Sequence, residues 1–265
     1  MLYFWFHSSL RYMKFIGIIP ARYASTRYPG KPLADINGKT MIERVYKQAK
    51  KALEYVYVAT DDERISEEVK RFEGNVIMTS ENHQSGTDRI AEAIEKIQKN
   101  TKEKFDVIIN IQGDEPFIYP EQIEEIKSCF RNPDTEIATL VKRIENNEDI
   151  FDVNKPKVVF NKQMQAILFS RSPIPFIRNT EKNKWHLNHI FYKHIGMYAY
   201  KTETIQALTK LKQSNLEIAE SLEQLRWIEN GYNISVAVTQ FESNGIDTPE
   251  DLEKALKNKL YNLSK

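Results

Sequence analysis

From residue 15 to residue 111, short apolar runs alternate with segments of helical period, and that alternation restricts the fold more than any other feature. Phe15 to Ile19 has the length of a buried strand. Thr40-x-x-Glu43 is a capping box opening a helix with Ile42, Val45, Ala49 and Leu53 on one face. Tyr55 to Ala59 is the next strand, Asp62 starts a helix with Ile65, Val69 and Phe72 inward, and Asn75 to Met78 returns as a strand. Asp106 to Ile111 is almost continuously apolar, which marks a central parallel strand covered on both faces. Such an order implies an α/β fold, a mostly parallel sheet with helices on both faces.

The pattern changes from about residue 134. Glu136 to Val141, Lys157 to Phe160 and Gln165 to Ser170 are strand-like, and the last two are separated by only four residues, which predicts antiparallel pairing. We expect residues 13–265 to form one α/β domain with a smaller antiparallel lobe inserted at about 134–200, within reach of a 265-residue chain. Ser214-x-x-Glu217 then opens a helix running to Asn230-Gly231, with Ile218, Leu222, Leu225 and Ile228 as its buried stripe and Glu217, Glu220 and Gln224 opposite. After the strand Ile234 to Thr239, Thr248 as cap, Pro249 and Asp251 start the last helix.

Functional signals cluster where strands end. The first strand runs into Pro20 and a loop bearing Arg22, Arg27 and Lys31, with Ser25, Thr26 and Gly30 between them. Three prolines restrict this loop while Gly30 permits close approach, so its charges can be held around a polyanion, for which a nucleoside triphosphate is the natural choice. The spacing fits neither a Walker A loop nor a dinucleotide fingerprint. Charge alone would leave an ordinary solvated loop as the commoner meaning. The full string Pro-Ala-Arg-Tyr-Ala-Ser-Thr-Arg-x-Pro-Gly-Lys-Pro, however, resembles the signature of sugar nucleotidyltransferases, and specifically of the 3-deoxy-manno-octulosonate cytidylyltransferase family.

The resemblance extends from Met13 over nearly the whole chain through five separated motifs. It implies a Rossmann-like nucleotidyltransferase fold, related to glycosyltransferase A, and a site around CTP. Ala21, Arg22, Ser25, Arg27 and Lys31 would surround the nucleotide. His-Gln-Ser-Gly-Thr-Asp-Arg at 83–89 matches the second motif, with Asp88 in place of an expected glutamate, and implies that Thr79, Ser85 and Gly86 select the cytosine. Read without the family, that stretch needs to be no more than a helix cap at Ser85 or Thr87. In Gln112-Gly-Asp-Glu-Pro116 the resemblance puts Gln112 on the nucleotide and Asp114 on a metal. An aspartate just past a central strand suits that task and, taken alone, equally a turn; with the basic loop in the same chain the metal reading leads. Asp247, in Gly-Ile-Asp-Thr-Pro-Glu-Asp-Leu, would be its co-ligand for Mg2+.

For the sugar acid, the resemblance points to Arg171, to His194 and Tyr198 in His-x-Gly-x-Tyr, and to Glu223 and Gln224 in Leu-Glu-Gln-Leu-Arg. His186 and His189 are read as surface residues: the strand-like alternation from His194 to Tyr200 breaks the spacing a three-histidine metal site would need. The implied catalytic group is Arg22, Lys31, Asp114 and Asp247. The implied reaction is the formation of CMP-Kdo and pyrophosphate from CTP and 3-deoxy-D-manno-octulosonate (Kdo), which supplies lipopolysaccharide assembly, by a protein that dimerises through its smaller lobe.

Composition narrows the alternatives. With 38 Lys and Arg against 37 Asp and Glu, nothing global steers the chain to nucleic acid, so a phosphate site must be local. A single cysteine excludes an internal disulfide framework and agrees with a reducing, cytoplasmic setting. Residues 1–12 are too short and too weakly apolar for a signal core or membrane span, and we expect an extension that is disordered or not native. Two other functions fit the same loop: the sister activity on sialic acid, and a nucleotide-binding regulator without turnover.

Overall fold

Every apolar run of the first half becomes a strand. The computed structural model describes residues 13–24, 27–83, 85–242 and 245–258, so the expectations for residues 1–12 and for Ser25 lie outside the described residues. Strands β1 (Phe15–Ala21), β2 (Tyr55–Thr60), β3 (Val76–Met78) and β4 (Val107–Asn110) are parallel, in the spatial order β3-β2-β1-β4. Helices α1 (Met41–Ala49), α2 (Glu63–Arg71) and α3 (Gly86–Thr101) connect them, and α4 (Pro120–Ser128) follows. Thr40 caps α1 through the amide of Glu43, but the Glu43 carboxylate turns to Lys47 at 2.6 Å, so only half of the expected box forms.

Beyond α4 the chain lays β5 (Ile137–Arg143), α5 (Asn147–Phe151), β6 (Lys157–Phe160), β7 (Ala166–Ser170), α6 (Trp185–Asn188) and β8 (Tyr192–Lys201). It ends with α7 (Thr202–Leu208), α8 (Asn215–Glu220), α9 (Glu223–Glu229), β9 (Ile234–Thr239) and α10 (Pro249–Lys257). The sheet continues from β4 through antiparallel β8 to β5 and then β9. The long strands of the region expected as a smaller lobe therefore belong to the main sheet. Off this path the β6–β7 hairpin joins β8 through Lys157 and packs Val158 and Phe169 into the main core, while α5 and α6 enclose a separate small core of Ile144, Ile150, Trp185 and Phe191.

Burial on both faces follows from the strand pattern. Ile16, Ile18 and Ile108 pack with α3, α7 and α9, whereas Val56, Val58, Val107 and Ile109 pack with α1, α2 and α4.

One expectation needs correction: the helix from Ser214 to Asn230 is two. Ser221 adopts a left-handed conformation (φ 50°) that ends α8, and α9 restarts after Leu222. The stripe is broken accordingly. Ile218 is 62% exposed, while Glu217 turns inward to Arg226 at 3.2 Å and Gln224 is buried. A serine carries no signal for this break, since left-handed stops usually announce themselves as glycine.

Candidate active site

The loop after β1 closes on itself before it meets anything else. Gly30, at φ 72°, donates its amide to the Tyr23 carbonyl at 2.9 Å, and the Arg64 guanidinium lies over the Tyr23 ring. This brings Lys31 to the end of β4. Its ammonium is 2.7 Å from Asp114 Oδ2 and 3.2 Å from Asp247 Oδ1, and Arg27 reaches the same Asp247 oxygen at 3.0 Å. The two aspartates are 133 positions apart in sequence. They meet because the Ile246 amide donates to the Asp114 carbonyl at 2.9 Å, with the Ile246 side chain buried beneath.

Gly113 accounts for the fit between the two strand ends, since a Cβ there would come within 2.9 Å of the Pro20 carbonyl. Above this contact lies a cleft of about 360 Å³ lined by Ala21, Arg22, Arg27, Lys31, Gln112 and Asp114. Two aspartate carboxylates drawn to one cation are a donor set that fits magnesium, which takes one or two carboxylates and completes its shell with substrate oxygens. Among the described residues no cluster of three or more His, Cys, Asp or Glu forms a self-sufficient metal cage.

On one side of the cleft, Arg22 donates to the carbonyls of His83 and Ser85 and so grips the second motif. Burial, with Arg89 nearby, holds the Arg22 pKa below its ordinary value. Ser85 caps α3, and Asp88 completes the capping box that the expected glutamate would have made. Thr79 is held by Arg89, which is wholly buried and bonds Thr79 Oγ1 at 2.6 Å and the Asp61 carboxylate. Gly86 is the first residue of α3.

On the other side lies a more enclosed group. Glu223 accepts from Thr87 at 2.9 Å and from Arg226 at 2.8 Å, and burial raises its pKa. Gln224 is buried, and its Nε2 has no hydrogen-bond partner among the described residues. Tyr198 packs edge-on against Trp227, with burial pushing its hydroxyl pKa well up. His194 bonds Thr139 at 2.9 Å and packs against Phe169 and Tyr198, and burial pushes its pKa down to about 4, so the ring is neutral. The register of β5 against β8 slips here, at Thr139/Leu140, and Gln112 bonds the carbonyl of Gly196 in the slipped segment at 3.1 Å. That bond joins the cleft to the enclosed group.

Arg171 is not brought into this group. Its guanidinium bonds the carbonyls of Glu220, Val153 and Ser221, and its amide bonds the Glu220 carboxylate. His186 lies in α6 near Asn147, and His189 is the exposed residue that ends that helix.

Residues 16–236 match the cytidylyltransferase family. The 3-deoxy-manno-octulosonate cytidylyltransferase of Parabacteroides distasonis is 60% identical over 248 residues, covering 92% of this chain and 97% of that protein. The chain belongs to the 3-deoxy-manno-octulosonate cytidylyltransferase family. The family protein of Bacteroides thetaiotaomicron is 58% identical over 246 residues, covering 92% of this chain and 97% of its own length. A solved structure of CMP:2-keto-3-deoxy-manno-octonic acid synthetase complexed with CTP superposes with a TM-score of 0.85 at 40% identity, over 94% of this chain and 99% of that one.

Two residues that organise this family member's site were missed in the sequence. Arg89 lies inside the second motif but had no assigned role, and a fully buried arginine has no local signature. Glu92 sits one turn further along α3, accepts from the Ser80 amide at 2.8 Å, and pairs with His83 and Lys96. Burial opposes its charge, but Lys96, the Ser80 amide and His83 prevail and hold it at about 2. Its spacing of four from Lys96 was the one available signal.

Proposed function

We propose that this nucleotidyltransferase joins Kdo to CTP, giving CMP-Kdo and pyrophosphate for lipopolysaccharide assembly. The observation that carries the reaction class is the meeting of Asp114 and Asp247 on Lys31 beneath the arginine-bearing loop. The identity of the substrates is supported by the relatives and by the CTP-bound synthetase.

In the reaction, the anomeric hydroxyl of Kdo attacks the α-phosphorus in line; the new O–P bond forms as the bond to pyrophosphate breaks. Positioning and charge neutralisation do most of this, and no covalent enzyme intermediate is needed. Arg22, Arg27 and Lys31 face the triphosphate. An ammonium has three donors; two serve the aspartates and the third serves a phosphate oxygen. Magnesium bound by Asp114 and Asp247 would supply charge at the phosphate and acidify the sugar hydroxyl. Thr79 accepts from Arg89, which leaves its O–H free to donate to a pyrimidine carbonyl, and the Ser85–Gly86 backbone borders the base. Gln112 spans nucleotide and sugar. Glu223, Gln224, Tyr198 and neutral His194 read the sugar hydroxyls. Arg171 answers the sugar carboxylate by exchanging one of its carbonyl partners.

Ile167, Phe176 and Leu187, all more than half exposed on the hairpin side, support a homodimer through residues 134–200. Among the described residues no helix is long and apolar enough to cross a membrane.

The test is pyrophosphate release from CTP and magnesium with Kdo or sialic acid. Turnover with Kdo alone supports the proposal. Turnover with sialic acid alone assigns the sister activity, and CTP binding without turnover of either assigns a regulator. A monomer mass by light scattering would remove the dimer.

A further inference from the structure

Lys142 and Lys193 are direct cross-strand partners where β5 meets β8, and Lys157 partners Lys193 where β6 meets β8. Like charges in such a row repel, and Lys157 and Lys193 are almost wholly buried, so the row needs acceptors. Lys157 donates to the Asp152 carbonyl at 2.8 Å. Lys193 has Asp149 at 3.4 Å, but Asp149 is held more closely by Lys155, at 2.6 Å. The remaining anion is Glu242, which bonds Lys193 and lies 3.3 Å from Lys142.

Glu242 belongs to no strand. It lies three residues past the end of β9, on the segment leading to Asp247. Its neighbour Phe241 packs its ring at a tilt against Tyr119, and its carbonyl accepts from Gln122 at 3.4 Å. Further along, Ile246 is fixed to Asp114 through the main chain. We infer that Glu242 is a positioning residue: its clasp on Lys142 and Lys193 sets where this segment delivers Asp247 against Asp114. The strand it grips also carries His194 and Tyr198. Neighbours on a strand face opposite ways, so Lys193 reaches the Asp247 segment while His194 packs on Phe169. One strand is thereby registered to the phosphate edge by charge and to the sugar side by packing. Burial works against the Glu242 charge, but Lys193 and then Lys142 outweigh it and keep its pKa low. The catalytic consequence rests on the function proposed above; the structural consequence does not.

Hydrogen exchange by mass spectrometry on the full chain separates the two. In Glu242→Gln, peptides covering residues 240–248 should exchange about tenfold faster while β1 and β4 stay as protected as before, because opening is local. The Glu242→Asp variant, which keeps the charge, should recover most of that protection. Lys193→Met combined with Glu242→Gln leaves no unpaired buried ammonium and should still loosen the segment. With CTP, Kdo and magnesium, Glu242→Gln should lose about tenfold in kcat and need several-fold more magnesium for half-maximal rate, with KM for CTP within about twofold. Unchanged exchange at 240–248, or faster exchange spread evenly over the chain, would overturn the clasp. So would a Glu242→Gln enzyme with native kcat and magnesium dependence. Faster exchange at 240–248 in a protein whose wild type makes no CMP-Kdo would uphold the clasp and sink the functional reading instead.

Discussion

The charged edge and the enclosed side of the cleft, which we propose face phosphate and sugar respectively, solve opposite problems. At the edge, Lys31, Arg27, Asp114 and Asp247 are all charged, and the two aspartates are each about a third or more exposed, so these charges neutralise one another near water. On the enclosed side, His194 is neutral, the Tyr198 hydroxyl is harder to ionise and Glu223 has a raised pKa, all by burial. The edge suits a ligand that brings charge and exchanges partners with the protein. The enclosed side suits a ligand made of hydroxyls, whose loss leaves buried groups unmatched.

The largest expected effect tests the edge. Lys31→Ala should lower kcat about a thousandfold, on the order of 4 kcal/mol, because it removes a charge on the reacting phosphates and leaves two aspartates facing each other. Its melting temperature should stay within a few degrees, since partly exposed pairs contribute little to stability. Near-normal turnover would dissolve the contrast. Next come Asp114→Asn and Asp247→Asn, each expected to cost about two decades in rate, near 3 kcal/mol. Their double mutant should lose far less than the product, as residues acting through one ion do; full additivity in that cycle would separate their roles.

On the enclosed side, Glu223→Gln should raise KM for Kdo about tenfold and leave KM for CTP unchanged. An equal rise in both would merge the two regions. The pH dependence of stability sharpens the same point. His194 has a folded pKa of about 4, below its ordinary 6.5, so the unfolded chain binds the proton first as pH falls. Its contribution is complete above about pH 6.5 and is lost as pH drops toward 4, on the order of 3 kcal/mol. Denaturant titrations should show His194→Gln losing less stability than the native chain over that window. The smallest effect is Ser221→Gly, which should stabilise the fold by less than about 1 kcal/mol by relieving the left-handed serine, with kinetics at the edge unchanged.

How much of this was legible follows the same division. Strands β6 and β9 fall where the apolar runs put them, and Thr248 and Ser214 cap as expected, because period and capping chemistry are local. Residues at strand exits, such as Lys31 and Asp114, could be nominated from position together with the motifs around them. The Ser221 break, the slipped register at Thr139 and the carbonyls that hold Arg171 could not, since each depends on how distant segments settle against one another. Arg89 and Glu242 are invisible for a related reason: an ion pair with one end in the interior is defined by its partner, and neither partner is close in sequence.

The bond from the Ile246 amide to the Asp114 carbonyl uses main-chain atoms only. Among substitutions at 246 only proline removes its donor, so the spacing of the two carboxylates has a main-chain anchor, and side chains such as Glu242 act on it only by holding that anchor in place. Lineages can therefore drift at side chains outside the Glu242 clasp, and retune affinity or partner contacts there, while the main chain keeps the two carboxylates in reach of each other.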